Sequence, residues 1–219
     1  MIADDRKPIG LLGGSFDPIH VGHVQFARDA LQQLHLSRVL FVPAGRAWQK
    51  GAAADGEHRA RMVEIAIGGE ARFVLDRREL RRQGPSYTVD TLRELRQELG
   101  PDRPLVLLIG ADQLARLDTW HEWERLTDLS HLGVTDRPGY AAGLTPALAR
   151  FRERHLGSDA EVAHRPAGML VPVPMTPIDC SSTRIRALLG AAPGPAETAL
   201  AGLLAPGVLE YIQRHRLYS

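Results

Sequence analysis

The chain has 219 residues, 44% of them hydrophobic and 24% charged, enough to bury a sizeable core in a globular protein. Its 27 Lys and Arg against 26 Asp and Glu give a net charge of +1, which excludes the electrostatic footprint of a general nucleic-acid binder. The single cysteine, Cys180, excludes an intrachain disulfide and a cysteine metal cluster. No apolar run reaches the roughly 18 residues of a membrane span, and the polar start from Met1 to Pro8 lacks a signal-peptide apolar region; a reducing cytoplasmic location is expected.

Short apolar runs alternate with helical patterns along the chain. Residues 9–12, 39–42, 73–75, 105–109, 132–135 and 169–173 read as strands, and residues 21–34, 57–67, 88–99 and 112–129 as helices. In the first helix Val21, Val24, Ala27, Leu31 and Leu34 recur near helical spacing. Alternation of this kind predicts an α/β fold, a parallel sheet with helices on both faces. The apolar run 105–109 suits a central strand buried on both sides. Residues 44–56, 81–86 and 137–146 read as loops, 147–155 as a basic surface helix, 191–195 as a turn, and about 207–214 as a closing helix. No repeat or second-domain boundary is visible, so a single domain over 1–219 is expected, with a C-terminal helical segment from about 181.

The run Gly13-Gly14-Ser15-Phe16-Asp17-Pro18-Ile19-His20-Val21-Gly22-His23 follows the first strand and opens the first helix. Gly13 and Gly14 permit close approach and positive φ, and N–H groups at a helix start form a phosphate site. Pro18 suits an early helical position. His20 and His23 share a helix face near the positive end of the dipole, where imidazoles can bond phosphate oxygens. Gly22 lets a nucleotide lie against the helix. No Gly-Lys-Ser/Thr follows, so this is not a Walker A loop, and the pair lacks the third ligand of a zinc site.

The second constellation is Cys180-Ser181-Ser182-Thr183-Arg184-Ile185-Arg186, at the start of a short helix that ends at Gly190. Ser and Thr are good caps. Arg184 and Arg186 sit where the helix dipole disfavours cations, which points to a bound anion. Arg77, Arg78, Arg81 and Arg82 read as a solvated basic run.

The two runs at 13–23 and 181–186 resemble the signature motifs of the HxGH nucleotidylyltransferase superfamily. Gly84-Pro85-Ser86-Tyr87-Thr88, Gly110-Ala111-Asp112-Gln113-Leu114 with Trp120 and Trp123, and the terminal run from Val208 through His215, Leu217 and Tyr218 resemble segments of bacterial nicotinate-nucleotide adenylyltransferases. Trp48-Gln49-Lys50 is similar to the actinobacterial-type branch, with Ala47 in place of its proline and Gln49 where many relatives have histidine.

The resemblance implies a Rossmann-like fold and the reaction of ATP with nicotinate mononucleotide to give deamido-NAD and pyrophosphate, a step of NAD biosynthesis. It implies catalytic roles for His20, His23, Lys50 and Arg186. ATP would meet Gly13, Gly14, Ser15, Phe16, Gly22, Gly110, Asp112, Ser182 and Thr183; the nicotinate nucleotide would meet Tyr87, Thr88 and Trp120. The residues alone leave core packing and ring stacking open for Trp120 and Trp123. Mg²⁺ is expected to arrive with ATP and no metal site is expected in the protein. The expected partners are the two substrates, with no nucleic-acid polymer and no membrane; a homo-oligomer is compatible with the sequence. Nicotinamide mononucleotide or another phosphate acceptor, and a non-catalytic nucleotide sensor, are the alternatives.

Overall fold

The computed structural model describes residues 7–45, 54–136, 143–175, 178–190 and 195–218. Among them are the strands β1 (Ile9–Gly14), β2 (Arg38–Pro43), β3 (Phe73–Leu75), β4 (Leu105–Gly110), β5 (His131–Asp136) and β6 (Leu170–Pro174). The α-helices are α1 (Val21–Gln33), α2 (Gly56–Ile67), α3 (Arg78–Arg81), α4 (Thr88–Leu99), α5 (Ala111–Leu114), α6 (Leu126–Leu129), α7 (Pro146–His155), α8 (Ser182–Leu189), α9 (Pro195–Leu203) and α10 (Pro206–His215).

The strands form one sheet in the order β3-β2-β1-β4-β5-β6. Parallel pairing sets Ile9 opposite Leu105, Val106 opposite His131 and Leu132 opposite Leu170. This is the α/β arrangement of a Rossmann-like fold. Its strand order reverses between β1 and β4, the place where open α/β sheets bind ligands outside the carboxyl ends of their strands. Gly13 and Gly110 lie at those two ends.

One expected helix is broken. Residues 112–129 fold as α5, two 3₁₀ turns (Leu117–Thr119 and Trp123–Arg125) and α6. In an unbroken helix Leu117 and Leu126 would point about 180° apart, yet both are fully buried; breaking the helix lets one core take both. The break passes through Trp120 in extended conformation and Glu122 in the left-handed region at φ 46°. The Glu122 carboxylate is held there by Arg93 of α4. Pro18 is also not in a first helical turn: it lies three residues ahead of α1, after a cis peptide bond.

Contacts group the chain into two compact units. One comprises residues 1–13, 26–40 and 87–177, the other 14–25, 41–86 and 178–219. In the first, β4 is buried over five successive residues from Leu105 to Ile109. Helix α4 buries Val89, Leu92 and Leu95, three residues apart on one face. Arg96, one residue further on, donates to the carbonyls of Leu129, Pro101, Arg103 and Pro166. In the second, α2 is capped by Asp55, whose carboxylate accepts from the N–H groups of Glu57 and His58 at 2.9 and 3.1 Å. This cap draws Asp55 below the ordinary carboxylate range, mainly through the His58 amide. His58 of α2 bonds the Tyr211 hydroxyl of α10 at 2.9 Å, and the Tyr211 and His215 rings lie 4.3 Å apart.

His131 at the start of β5 is wholly buried. Its Nδ1 accepts from Met169 N at 3.2 Å and its Nε2 donates to Arg165 O at 2.8 Å, the bonding of a neutral imidazole. Burial holds its pKa below the ordinary histidine value. The unfolded chain therefore binds a proton that the native state refuses, and stability is full above about pH 6.5 and falls as pH drops below it. Urea denaturation at pH 7.5 and 5.5 is expected to show lower stability at 5.5; a His131→Asn variant, compared at the same two pH values, should lose part of that difference.

Candidate active site

The segment after β1 carries most of the chemistry. Gly13 and Gly14 complete the strand, and neither has the positive φ that the sequence suggests; Phe16 takes it instead, at φ 48°. A left-handed conformation at a bulky residue costs roughly 1–2 kcal/mol. It is offset by burying the Phe16 ring against Phe41, at 6.0 Å between centroids, and edge-on to His23 at 5.1 Å. The turn delivers His20 just before α1 and His23 into its first turn.

The two imidazoles stack with centroids 3.7 Å apart. His23 Nδ1 accepts the His20 N–H at 3.3 Å, so a neutral His23 ring carries its proton on Nε2 and can donate it outward. His20 is buried, while His23 is half-exposed. Gly22 serves this stack: a Cβ there would stand 3.1 Å from His20 Nδ1 and 3.2 Å from Cε1. The glycine thus makes room for a histidine ring against the helix.

Helix α8 is tied to the same turn. Ser181 caps it, accepting from Arg184 N at 3.2 Å. Ser182 Oγ donates to the carbonyl of Pro18 at 3.0 Å, and Arg186 Nη1 donates to the carbonyl of Asp17 at 2.6 Å. Thr183 is exposed on the first turn. Arg184 departs from expectation. Its charge is met by Asp179, at 2.5 Å, so it calls for no bound anion. Arg78 likewise is not solvated but paired with Asp76 at 2.7 Å.

Three residues that the motifs did not assign hold this arrangement. Arg59 of α2 is 1% exposed. Its guanidinium donates to Ser15 O and Ala44 O, each at 2.7 Å, to Gly45 O at 3.3 Å and to Ala54 O at 3.2 Å. Desolvation lowers its pKa, opposed by the negative charge of Asp17, and it stays charged at neutral pH. Asp17, 3% exposed, accepts from the Tyr218 hydroxyl at 2.7 Å and from Ala54 N at 3.3 Å. Arg59 had one sequence signal, an arginine among Ala60, Met62 and Val63 on a helix whose other charged residues, Glu57, Arg61 and Glu64, are exposed.

Of the residues expected to contact substrate, Gly14, Ser15, Phe16, His20, Gly22, His23, Ser182, Thr183 and Arg186 belong to the unit just described. Lys50, with Arg46, Ala47, Trp48 and Gln49, lies outside the described residues. Gly13, Tyr87, Thr88, Gly110, Asp112 and Trp120 belong to the other unit. There, Gly110 leads into α5, and a Cβ on it would stand 2.4 Å from Asp112 Oδ1; only glycine lets that carboxylate fold back at the helix start. Asp112 Oδ2 accepts from Gln113 at 2.9 Å. Tyr87 and Thr88 open α4. The Tyr87 ring lies against His121 at 4.4 Å, a neighbour the motifs did not indicate. Neither Trp120 nor Trp123 is on an α-helix: Trp123 packs edge-on against Phe151 at 5.0 Å, while Trp120 is half-buried, its indole N–H without a partner among the described residues.

Residues 11–188 match the cytidylyltransferase-like family, a class of nucleotidyl-transferring proteins. The chain is 43% identical over 214 residues to a "Probable nicotinate-nucleotide adenylyltransferase" of Chromobacterium violaceum, covering 96% of this chain and 98% of the relative. It is 45% identical over 219 residues to the protein so described from Laribacter hongkongensis, covering 97% and 95%. In fold it is similar to the Plasmodium falciparum nicotinic acid mononucleotide adenylyltransferase complexed with NaAD, with TM-score 0.73 at 19% identity over 97% of each chain. The chain belongs to the cytidylyltransferase-like family and, within it, to the nicotinate-nucleotide adenylyltransferases.

Two variants probe this scaffold. Arg59→Met leaves several buried carbonyls without donors and should cost roughly 3–5 kcal/mol of stability, read as a lowered urea midpoint. Gly22→Ala should displace the His20 ring by a few tenths of an ångström and lower kcat/KM about tenfold or more, with little change in the urea midpoint.

Proposed function

We propose that this chain transfers the adenylyl group of ATP to the phosphate of nicotinate mononucleotide, giving deamido-NAD and pyrophosphate in NAD biosynthesis. The observation that carries the reading is that Ser182 and Arg186 are bonded to Pro18 and Asp17, in the turn that presents His20 and His23. One triphosphate can then meet both motifs. Relatives 40–45% identical over nearly the whole chain and described as nicotinate-nucleotide adenylyltransferases support the choice of acceptor.

The acceptor phosphate is anionic at neutral pH, so no general base is needed. An oxygen of that phosphate forms a bond to the α-phosphorus while the bond to the bridging oxygen of pyrophosphate breaks. Charge grows on the non-bridging and leaving oxygens, and fixed donors aimed at them lower the barrier. We assign His23 Nε2–H to the α-phosphate and His20 to its neighbour. Ser182, Thr183 and Arg186 take the β- and γ-phosphates, together with Lys50. Gly13, Gly14, Ser15 and Phe16 line the nucleotide, and Gly110 and Asp112 the adenosine ribose. Tyr87, Thr88 and Trp120 take the nicotinate nucleotide.

Mg²⁺ fits as an ion carried in by the triphosphate. Among the described residues no group of three or more His, Cys, Asp or Glu side chains could hold a metal, and Asp17 Oδ1 accepts from Tyr218 and Ala54. When bound, the ion neutralises charge on the phosphates.

A cytoplasmic location belongs to the same reading; among the described residues no helix is long and apolar enough to cross a membrane. Trp48-Gln49-Lys50 supports the finer placing in the actinobacterial-type branch, although the relatives compared are proteobacterial.

Mixing the protein with ATP, Mg²⁺ and nicotinate mononucleotide should release pyrophosphate and form deamido-NAD, with a higher kcat/KM than for nicotinamide mononucleotide. No pyrophosphate, or a preference for the amide, overturns the reading. His23→Ala should lower kcat by about 10²–10³ with an unchanged melting temperature, and near-normal turnover would remove His23 from its role.

A further inference from the structure

We propose that the Arg93–Glu122 ion pair is a positioning device for the acceptor: it holds the left-handed turn that carries Trp120 and His121 against helix α4, and so sets the spacing between Trp120 and Tyr87–Thr88. The inference rests on the proposed roles of Tyr87, Thr88 and Trp120 at the nicotinate nucleotide. All of these residues belong to one unit. Two 3₁₀ turns meet at this point. Trp120 N closes the first on Leu117 O at 2.9 Å, and Glu122 O opens the second by accepting from Arg125 N at 2.9 Å. The direction of the chain between them is set at Glu122, with φ 46° and ψ 40°. A residue with a long side chain is disfavoured there, so the conformation persists only where its surroundings impose it. On the far side Trp123 is fixed against Phe151.

Two attachments to α4 impose it. Arg93 Nη2 donates to Glu122 Oε2 at 2.5 Å and Nη1 to Oε1 at 3.3 Å, a two-pronged bond that fixes orientation as well as distance. Arg93 is itself steadied by Asp90, one turn earlier in the helix, at 3.1 Å. Its hydrogen bond draws Glu122 below the ordinary carboxylate range, so the pair is charged at neutral pH. At the start of the same helix the Tyr87 ring lies against His121, with centroids 4.4 Å apart and planes 30° from parallel. His121 Nε2 stands 3.3 Å from Glu122 Oε1. The two residues that follow Trp120 are thus both seated on α4 or on the residue that opens it. With each side chain 38% exposed, the ion pair adds little to global stability; what it decides is the conformation of one short turn. Without it Glu122 relaxes towards negative φ, which reorients the peptide that carries Trp120 relative to Tyr87 and Thr88.

The test is steady-state kinetics of the full-length chain carrying Arg93→Gln or Glu122→Gln, with the wild type as control. Each substitution should raise KM for nicotinate mononucleotide about fivefold, the upper end for an exposed two-pronged pair. The kcat and the KM for ATP should stay within about twofold, with little change in melting temperature. The double variant should be no worse than either single one. Arg93→Lys, which keeps the charge and loses the fork, should fall between the wild type and Arg93→Gln. Glu122→Gly should raise KM less than Glu122→Gln, because glycine takes the left-handed turn without an anchor. An unchanged KM for nicotinate mononucleotide, an equal rise for both substrates, additive effects in the double variant, or a glycine variant as impaired as the glutamine one overturns the inference. A wild type that forms no deamido-NAD overturns the proposed function instead.

Discussion

One buried guanidinium holds the candidate site in place. A turn that must offer donors to an anion cannot also satisfy its own carbonyls through regular secondary structure, and buried carbonyls without donors are costly. Arg59 resolves this by donating to Ser15, Ala44, Gly45 and Ala54 at once. It binds the glycine turn, the end of β2 and the entry to α2 to one rigid fork. Lysine could not do the same, because a single ammonium lacks the planar spread of donors.

Much else follows from that anchorage. With Ser15 fixed, Phe16 is driven into a left-handed conformation and its ring goes inward, against Phe41 and His23. His23 is then set by the ring beside it, by His20 stacked above it and by the His20 amide on its Nδ1. Such preorganisation suits phosphoryl-type chemistry, where the protein contributes position and electrostatic stabilisation more than covalent or acid–base steps. The same logic recurs in the other unit, where Arg96 gathers five carbonyls around the loops beside β4 and β5.

The relatives at 40–45% identity and the Plasmodium structure at 19% identity speak to different levels. The distant structure shares a sheet and its helices, which many sequences satisfy. The near relatives share 40–45% of their residues with this chain over nearly its full length. Family membership therefore rests on the near relatives, and the Rossmann-like architecture on strand order and pairing.

By itself the sequence determined the strands, the helices α1, α2, α4 and α8, and the two motifs that meet at one turn. Apolar periodicity and caps are local and survive in any reading of the chain. It did not determine the broken stretch after β4, because whether Leu117 and Leu126 share one core depends on what packs around them. Nor did it locate the positive φ at Phe16, the ring that fills the space over Gly22, or the partner of Arg184. Arg59 and Tyr218 stand 42 and 201 residues from Asp17 in sequence, and only the folded chain brings them to its turn. Hydrogen bonds across such separations leave no periodic trace in a sequence; they exist because the tertiary structure buries carbonyls and a carboxylate that must then find donors.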